Sequence, residues 1–414
     1  MTSWWRDEIV VRRVVSDVIA GQMSTLRSTG FAAPPSPFDP ALSLSRDLGV
    51  DSIELVAVAS SLNAMLHLHE AGVEDQLLMR PTVGSWVETA LAGLETFSSA
   101  MTFQTSGSSA APKRCTHRGA DLWQEVEALA ALFVARRRVL SAVRSHHIYG
   151  FLFTALLPPR LGVPGSDVID VRQVPPGSLP SRLRAGDLII GYPDFWRSIA
   201  SEHPTFPEGV IGVTSTAPCP DDVARDLQHA GLGALWQVYG STETAGVGVR
   251  SSFDTPFALL THWQRDEGNR DALIRVSSDG RRAGFPLQDV MEWDDDRHFR
   301  PLGRIDGVVQ VAGVNVSPVR VRGAIIEHPD VADAVVRLMN AGNTPRLKAF
   351  VVPRSGDVDL AALQRELEGD LGRRLTAAER PRAYTFGSAL PVDAMGKAAD
   401  WTDRGNGLAA TRAT

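Results

Sequence analysis

Between residues 121 and 239, short apolar runs alternate with amphipathic stretches, and this alternation restricts the fold more than any other feature of the chain. The apolar runs are Arg138 to Val143, Asp187 to Gly191, Gly209 to Val213 and Leu235 to Tyr239. A helix from Asp121 to Phe133 turns Leu122, Val126, Leu129 and Phe133 inward. Strand-length runs alternating with helices imply an α/β domain with at least a partly parallel sheet.

The pattern differs on either side. At the N-terminus, Val11, Val14, Val15, Val18 and Ile19 follow helical spacing. A Pro-rich loop, Ala33 to Pro37, follows. A second helix starts after Asp51-Ser52, with Leu55, Ala59, Leu62 and Leu66 on one face. A third runs from Thr82, with Val83, Trp86, Val87, Ala90 and Leu94. After Asp306 come strand-like Ala332 to Leu338 and Leu347 to Pro353, then a helix from Leu360 to Leu371; the tail beyond Trp401 is expected to fray. The expectation is an all-α bundle over 1–96, a compact α/β domain over 97–302 and a small α+β domain over 303–414.

Net charge is −6 over 414 residues, and no basic stripe marks a nucleic-acid partner. The cluster Arg136-Arg137-Arg138 is read as the basic end of a helix. Cys115 and Cys219 make neither a metal spacing nor a disulfide framework, which fits a reducing, cytoplasmic setting. No apolar run is long enough to cross a bilayer, and the N-terminus lacks the apolar core of a signal peptide.

Leu48-Gly49-Val50-Asp51-Ser52-Ile53-Glu54-Leu55 puts a serine at a helix start after a glycine turn. The plain reading is a helix-capping segment. The octet also resembles the attachment motif of acyl, aryl and peptidyl carrier proteins. The resemblance covers roughly residues 5–95 and implies phosphopantetheine on Ser52, where an attached phosphodiester would meet free backbone N–H groups.

Four further segments, in order over residues 100–398, resemble the adenylate-forming superfamily of acyl-CoA synthetases, aryl-acid ligases and adenylation domains. The first is Thr105-Ser106-Gly107-Ser108-Ser109-Ala110-Ala111-Pro112-Lys113, a loop of small and hydroxyl residues suited to wrapping ATP phosphates. Ala110 and Arg114 replace common glycines there. The second is Trp236-Gln237-Val238-Tyr239-Gly240-Ser241-Thr242-Glu243-Thr244, following a strand. The resemblance implies that Thr242 contacts the α-phosphate, Glu243 holds magnesium and Tyr239 lies at the adenine. Upstream, Ser215 and Thr216 stand where the family's adenine-side segment has two glycines.

The third segment runs from Gly303-Arg304-Ile305-Asp306 to Gly313 and Pro318. It implies ribose contacts from Arg304 and Asp289, a hinge at Asp306 and a thiol tunnel lined by Gly313. Arg320 and Arg322 sit where acidic residues are common. The fourth, Leu390 to Lys397, implies that Lys397 is the catalytic cation at the α-phosphate. Ser145-His146-His147-Ile148-Tyr149-Gly150-Phe151 resembles the acyl-pocket segment, with His147, Tyr149 and Gly150 as pocket residues. An imidazole at position 147, where amino-acid-activating relatives carry an aspartate, favours a non-amino acid, aromatic first.

The implied activity is ATP- and magnesium-dependent formation of an acyl-adenylate from a small carboxylic acid. The acyl group would pass to phosphopantetheine on the chain's own Ser52. A phosphopantetheinyl transferase and downstream polyketide, fatty-acid or peptide synthases would be its partners. Two alternatives stand beside it: acyl transfer to free coenzyme A or another carrier, and a non-catalytic carrier or docking protein.

Overall fold

The computed structural model describes residues 4–27, 30–104, 113–269, 271–305, 307–311, 314–339, 345–391 and 400–401. The chain forms two compact units. One comprises Met1–Thr105, Arg114–Leu287 and Met291–Pro301; the other comprises Ser106–Lys113, Gln288–Val290 and Leu302–Thr414.

The larger unit begins with α1 (Glu8–Leu26), α2 (Ser52–Leu66) and α3 (Val83–Thr96). Each starts where a side chain meets orphan N–H groups. Asp7 caps α1, Thr82 caps α3, and Asp51 caps α2 in a reciprocal box with Glu54. These helices do not form the separate bundle expected from the sequence. Val14, Ile19 and Trp86 share one hydrophobic core with Val139, Ile190 and Val213 of the α/β sheet. In α1, every residue from Val10 to Ala20 except Arg12 is buried. A helix covered all round is an interior element.

Next come a hairpin of β1 (Ala100–Gln104) and β2 (Arg114–Arg118), then α4 (Gly119–Ala130). The main sheet uses β3 (Val139–Ser141), β4 (Val168–Asp170), β5 (Leu188–Gly191), β6 (Ile211–Thr214), β7 (Leu235–Ser241), β8 (Ala245–Arg250) and β9 (Phe257–Leu259). A side sheet holds β10 (Trp263–Arg265), β11 (Ala272–Val276) and β12 (Arg282–Pro286). The strands β13 (Asp289–Trp293) and β14 (His298–Arg304) complete the main sheet, in the order β4-β3-β5-β6-β7-β8-β9-β14-β13. Strands β4, β3, β5, β6 and β7 are parallel, as the alternation implies; β7, β8, β9 and β14 are antiparallel. The helices α5 (Pro193–Ala200) and α6 (Asp221–His229) cover a second core around Trp196 and Leu227. Helix α4 stops at Ala130, so the arginine cluster is not its last turn. Arg138 instead pairs with buried Asp187 at 2.6 Å.

The smaller unit carries β15 (Val309–Val311), β16 (Val314–Val316), α7 (Pro318–Ile326), β17 (Val331–Met339), β18 (Arg346–Pro353), α8 (Leu360–Arg374) and β19 (Ala383–Phe386). Its core joins Val321, Ile325, Val336, Ala349, Leu367 and Leu371. Both arginines of α7 have local acidic partners: Arg320 meets Glu379 at 2.8 Å, and Arg322 meets Asp333 at 2.6 Å. Among the described residues, no helix is long and apolar enough to cross a membrane. The tail beyond Trp401 lies outside the described residues.

Candidate active site

In an open parallel sheet, ligand-binding groups gather beyond the strand C-termini, and here three parallel strands, β3, β6 and β7, deliver candidates there. Past β6, Ser215 Oγ donates to the Val238 carbonyl at 2.8 Å, joining the ends of β6 and β7. Thr216 adopts φ +77°, a left-handed conformation costly for a β-branched residue. The backbone therefore keeps a path suited to glycine although the side chain is not glycine. At the end of β7, the Tyr239 ring meets Phe257 at 5.8 Å and Phe299 at 5.3 Å.

The turn between β7 and β8 displays Thr242 and Glu243, both half-buried. Its shape is local. Ser241 Oγ accepts the N–H groups of Glu243 and Thr244, each at 3.2 Å, while Thr244 Oγ1 accepts that of Ser241 at 3.0 Å. Gly240 is required, because a Cβ there would sit 2.0 Å from the Ala245 carbonyl oxygen.

Two residues that the sequence reading did not single out hold this turn from behind. His117 Nε2 lies 2.7 Å from the Thr242 carbonyl, which can only accept, so Nε2 carries the proton. Burial keeps the ring below its ordinary pKa, hence neutral. Glu125 of α4 is fully buried and accepts the Gly246 N–H at 2.8 Å. Burial pushes its carboxyl up to about 8, although the Arg275 guanidinium 3.9 Å away pulls the other way. Neither contact leaves a sequence signature, since the partners lie more than 120 residues apart.

Past β3, Ser145–Phe151 turns into the helical stretch 148–161. Tyr149 donates its buried hydroxyl to the Gly191 carbonyl at the end of β5, at 3.0 Å, and burial keeps the phenol neutral. Gly150 is required, because a Cβ would fall 1.9 Å from the Arg144 carbonyl oxygen. His147 is exposed, with its ring 4.0 Å from that of half-buried His146. Ser215, Thr216, Thr242, Glu243, His147, Tyr149 and Gly150 thus all follow the C-terminal ends of parallel strands β3, β6 and β7, and Tyr239 lies in the last residues of β7 itself.

Ser52 is exposed as the first residue of α2. In the smaller unit, Arg304 donates to the Gln288 side chain at 2.9 Å, which sets it next to the strand start at Asp289. Gly303 and Gly307, flanking the expected hinge, adopt φ +145° and +67°. Lys113 is exposed just before β2, and Arg114 pairs with Gln104 as the first residue of that strand. Thr105, Ser106, Gly107, Ser108, Ser109, Asp306, Gly313 and Lys397 lie outside the described residues.

The AMP-binding enzyme C-terminal domain family matches residues 322–397. A 4-coumarate–CoA ligase from Halorhodospira halophila is 37% identical over 394 residues, covering 94% of this chain and 98% of its own. The chain belongs to the adenylate-forming enzyme superfamily. A second 4-coumarate–CoA ligase, from Cereibacter sphaeroides, is 38% identical over 380 residues, 89% of this chain and 87% of its own. The solved amide bond synthetase from Marinactinospora thermotolerans shares the fold at TM-score 0.56 and 16% identity, over 94% of this chain and 92% of its own. As a member of the adenylate-forming superfamily, the protein is an AMP-forming acid–thiol ligase.

Proposed function

We propose that this enzyme activates an aromatic carboxylic acid of the coumarate type and transfers it to coenzyme A. The observation that carries this reading is the match to a 4-coumarate–CoA ligase over 94% of this chain and 98% of that one. It is supported by the continuous core that joins those helices to the sheet. In the first step the substrate carboxylate attacks the α-phosphorus of ATP, forming acyl-AMP and releasing pyrophosphate. In the second, the thiol attacks the acyl carbon, AMP leaves, and the thiol proton goes to solvent.

The residues past the strand ends suit these steps. Thr242 offers a hydroxyl to the α-phosphate, Tyr239 an aromatic face to adenine, and Arg304 and Asp289 polar groups to the ribose. The hydroxyl-rich loop 105–109 and Lys113 would take the outer phosphates. Glu243 offers the hard oxygen donor that magnesium prefers, and a bound magnesium would neutralise phosphate charge. The neutral His147 edge and the buried Tyr149 favour a flat, uncharged acyl body over an amino acid.

The test is acyl-CoA formation and pyrophosphate release by the full chain with ATP, magnesium, coenzyme A and a panel of acids. Coumarate-type acids should head the panel. Absence of acid-dependent pyrophosphate release for every acid would overturn the reading. Lys397→Ala should slow adenylation on the order of a hundredfold or more, yet leave transfer from supplied acyl-adenylate.

A second reading keeps the chemistry but makes phosphopantetheine on Ser52 the acceptor, which would require a phosphopantetheinyl transferase and downstream synthases. The exposure of Ser52 at a capped helix start favours it. Intact-mass analysis after incubation with a transferase and acid separates the two.

A further inference from the structure

One face of α1 is only partly apolar. Residues 10, 13, 17 and 21 fall on it at helical spacing, and each meets a distant segment of the α/β unit. A Cβ on Gly165 would touch the Val10 side chain at 3.0 Å. Arg13 donates to the carbonyls of Gly165 and Val168. Asp17, 2% exposed, accepts the Ser145 N–H at 2.7 Å, the Ser145 hydroxyl at 2.9 Å and Arg172 at 2.8 Å. Gly21 backs directly onto the imidazole of His146, since a Cβ on it would lie 2.4 Å from two ring atoms. Past the turn, Phe151 packs edge-on against Trp4 at 5.1 Å, while Thr154 closes it by donating to the Gly150 carbonyl at 2.6 Å.

We infer that α1 is the rear support of the acid-binding turn, with Asp17 and Gly21 as positioning residues that set where His146 and His147 stand. The inference rests on the proposed role of Ser145–Phe151 in holding the acid. Asp17 fixes the backbone at Ser145, one residue before His146. Gly21 sets how far the His146 ring can retreat, and the His147 ring lies 4.0 Å in front of it. A side chain added at position 21 must push the first ring, and through it the second. Acid affinity and preference should therefore respond to a methyl group on the helix behind the turn.

Gly21→Ala makes the test clean. Alanine suits a helix interior better than glycine, and the group it displaces is the end of a side chain rather than backbone. Gly93→Ala in α3 is the control, because its Cβ would press on Leu68 at 2.5 Å, away from the turn. With the full chain, Gly21→Ala should raise KM for the acid on the order of tenfold and reorder the acid panel. KM for ATP should stay within about twofold. Gly93→Ala should shift Tm without reordering the acids. In a His146→Ala background, Gly21→Ala should lose its effect, because coupled residues are non-additive. Asp17→Asn should raise KM for the acid in the same sense, and Asp17→Glu should recover part of it. If wild type turns over no acid, the proposed function falls and this inference falls with it. If wild type is active but Gly21→Ala leaves acid KM and preference unchanged, or acts equally without the imidazole, only the positioning role falls.

Discussion

Helices α1 and α2 look alike in sequence, and the structure treats them differently. Both are capped by an aspartate, and both carry an apolar stripe at helical spacing. Yet α1 is covered on every side from Arg13 to Ala20, while α2 leaves Ser52, Ile53 and Val56 exposed. The difference lies in the polar residues. In α1, Arg13 and Asp17 point into the protein and are answered by residues more than 120 positions away. In α2, Asp51 and Glu54 are answered by their own helix start and by Arg27. A segment can therefore carry a serine motif typical of an independent module and still be interior scaffold of a larger unit.

The largest expected effect comes from cutting the chain. A carrier bundle should fold alone. If α1 is interior scaffold, residues 1–97 produced alone should show no cooperative unfolding in thermal circular dichroism, and residues 98–414 should aggregate. A sharp transition for the N-terminal piece would break the comparison and restore the autonomous bundle.

A smaller effect separates the ion pairs at the middle and at the C-terminal end of α1. Arg172 serves both Asp17 and Asp170, each within 2.8 Å and largely buried. Arg172→Leu leaves both carboxylates buried without their cation, a loss of about 3–5 kcal/mol. Arg27 meets Glu54 at 2.7 Å at the α1–α2 junction, on the open side. Arg27→Leu should move Tm by no more than about a degree or two. Equal shifts in thermal melts would mean that the middle and the C-terminal end of α1 are not held differently.

These contacts also show what was legible in the sequence. The valine stripe of α1 was, because it repeats locally. Its opposite face was not, because Arg13 and Asp17 belong to types that are mostly solvated, and their partners are set only by the fold. The β7–β8 turn was readable as nine contiguous residues, whereas His117 and Glu125, which hold it, were not. Ser215 and Thr216 read as departures from glycine, yet Thr216 at φ +77° shows the backbone keeping its path. The arginine cluster was misplaced because Arg138 pairs across the sheet with Asp187 rather than with a helix end.

Glu125 sharpens the contrast from another helix. Asp17 has a cation within hydrogen-bond reach, whereas the nearest guanidinium to Glu125 is 3.9 Å away. Its folded carboxyl titrates at about 8, from an ordinary 4.5. Between those values the unfolded chain has lost the proton and the folded chain keeps it, so stability falls as pH rises. His262, pushed by burial down to about 3 from 6.5, works in the opposite sense below pH 6.5. His67, His117, His146 and His147, also lowered by burial, act in the same sense as His262 and fade as pH rises above 6.5, so the upper part of the window, toward pH 8, isolates Glu125 best. Urea unfolding should show wild-type stability falling there by at most about 1.4 kcal/mol per pH unit. Glu125→Gln should flatten that slope. An unchanged slope would show that Glu125 is not the group responsible.

The smallest expected effect is the most discriminating for function, and it concerns Ser52. Asp51, not Ser52, caps α2, its carboxylate accepting the N–H groups of Ile53 and Glu54 at 2.8 Å each. Glu54 returns the bond to Asp51 and ties to Arg27. Removing the exposed Ser52 hydroxyl therefore leaves the helix start intact, and Ser52→Ala should melt with wild type. If α1 and α2 are both scaffold and coenzyme A is the acceptor, acyl-CoA formation should also stay within about twofold of wild type, since surface substitutions away from special contacts change little. If Ser52 carries phosphopantetheine, the same variant should retain acid-dependent pyrophosphate exchange but gain no acyl mass after treatment with a transferase, ATP and acid. Both assays run on one preparation. Wild-type mass gain that disappears in Ser52→Ala would make α2 a carrier helix within a ligase core, and the comparison with α1 would then mark a division of labour inside one unit. Unaltered acyl-CoA formation with no mass gain in either protein would leave α2 as scaffold and its serine as a solvent-facing residue of the first turn.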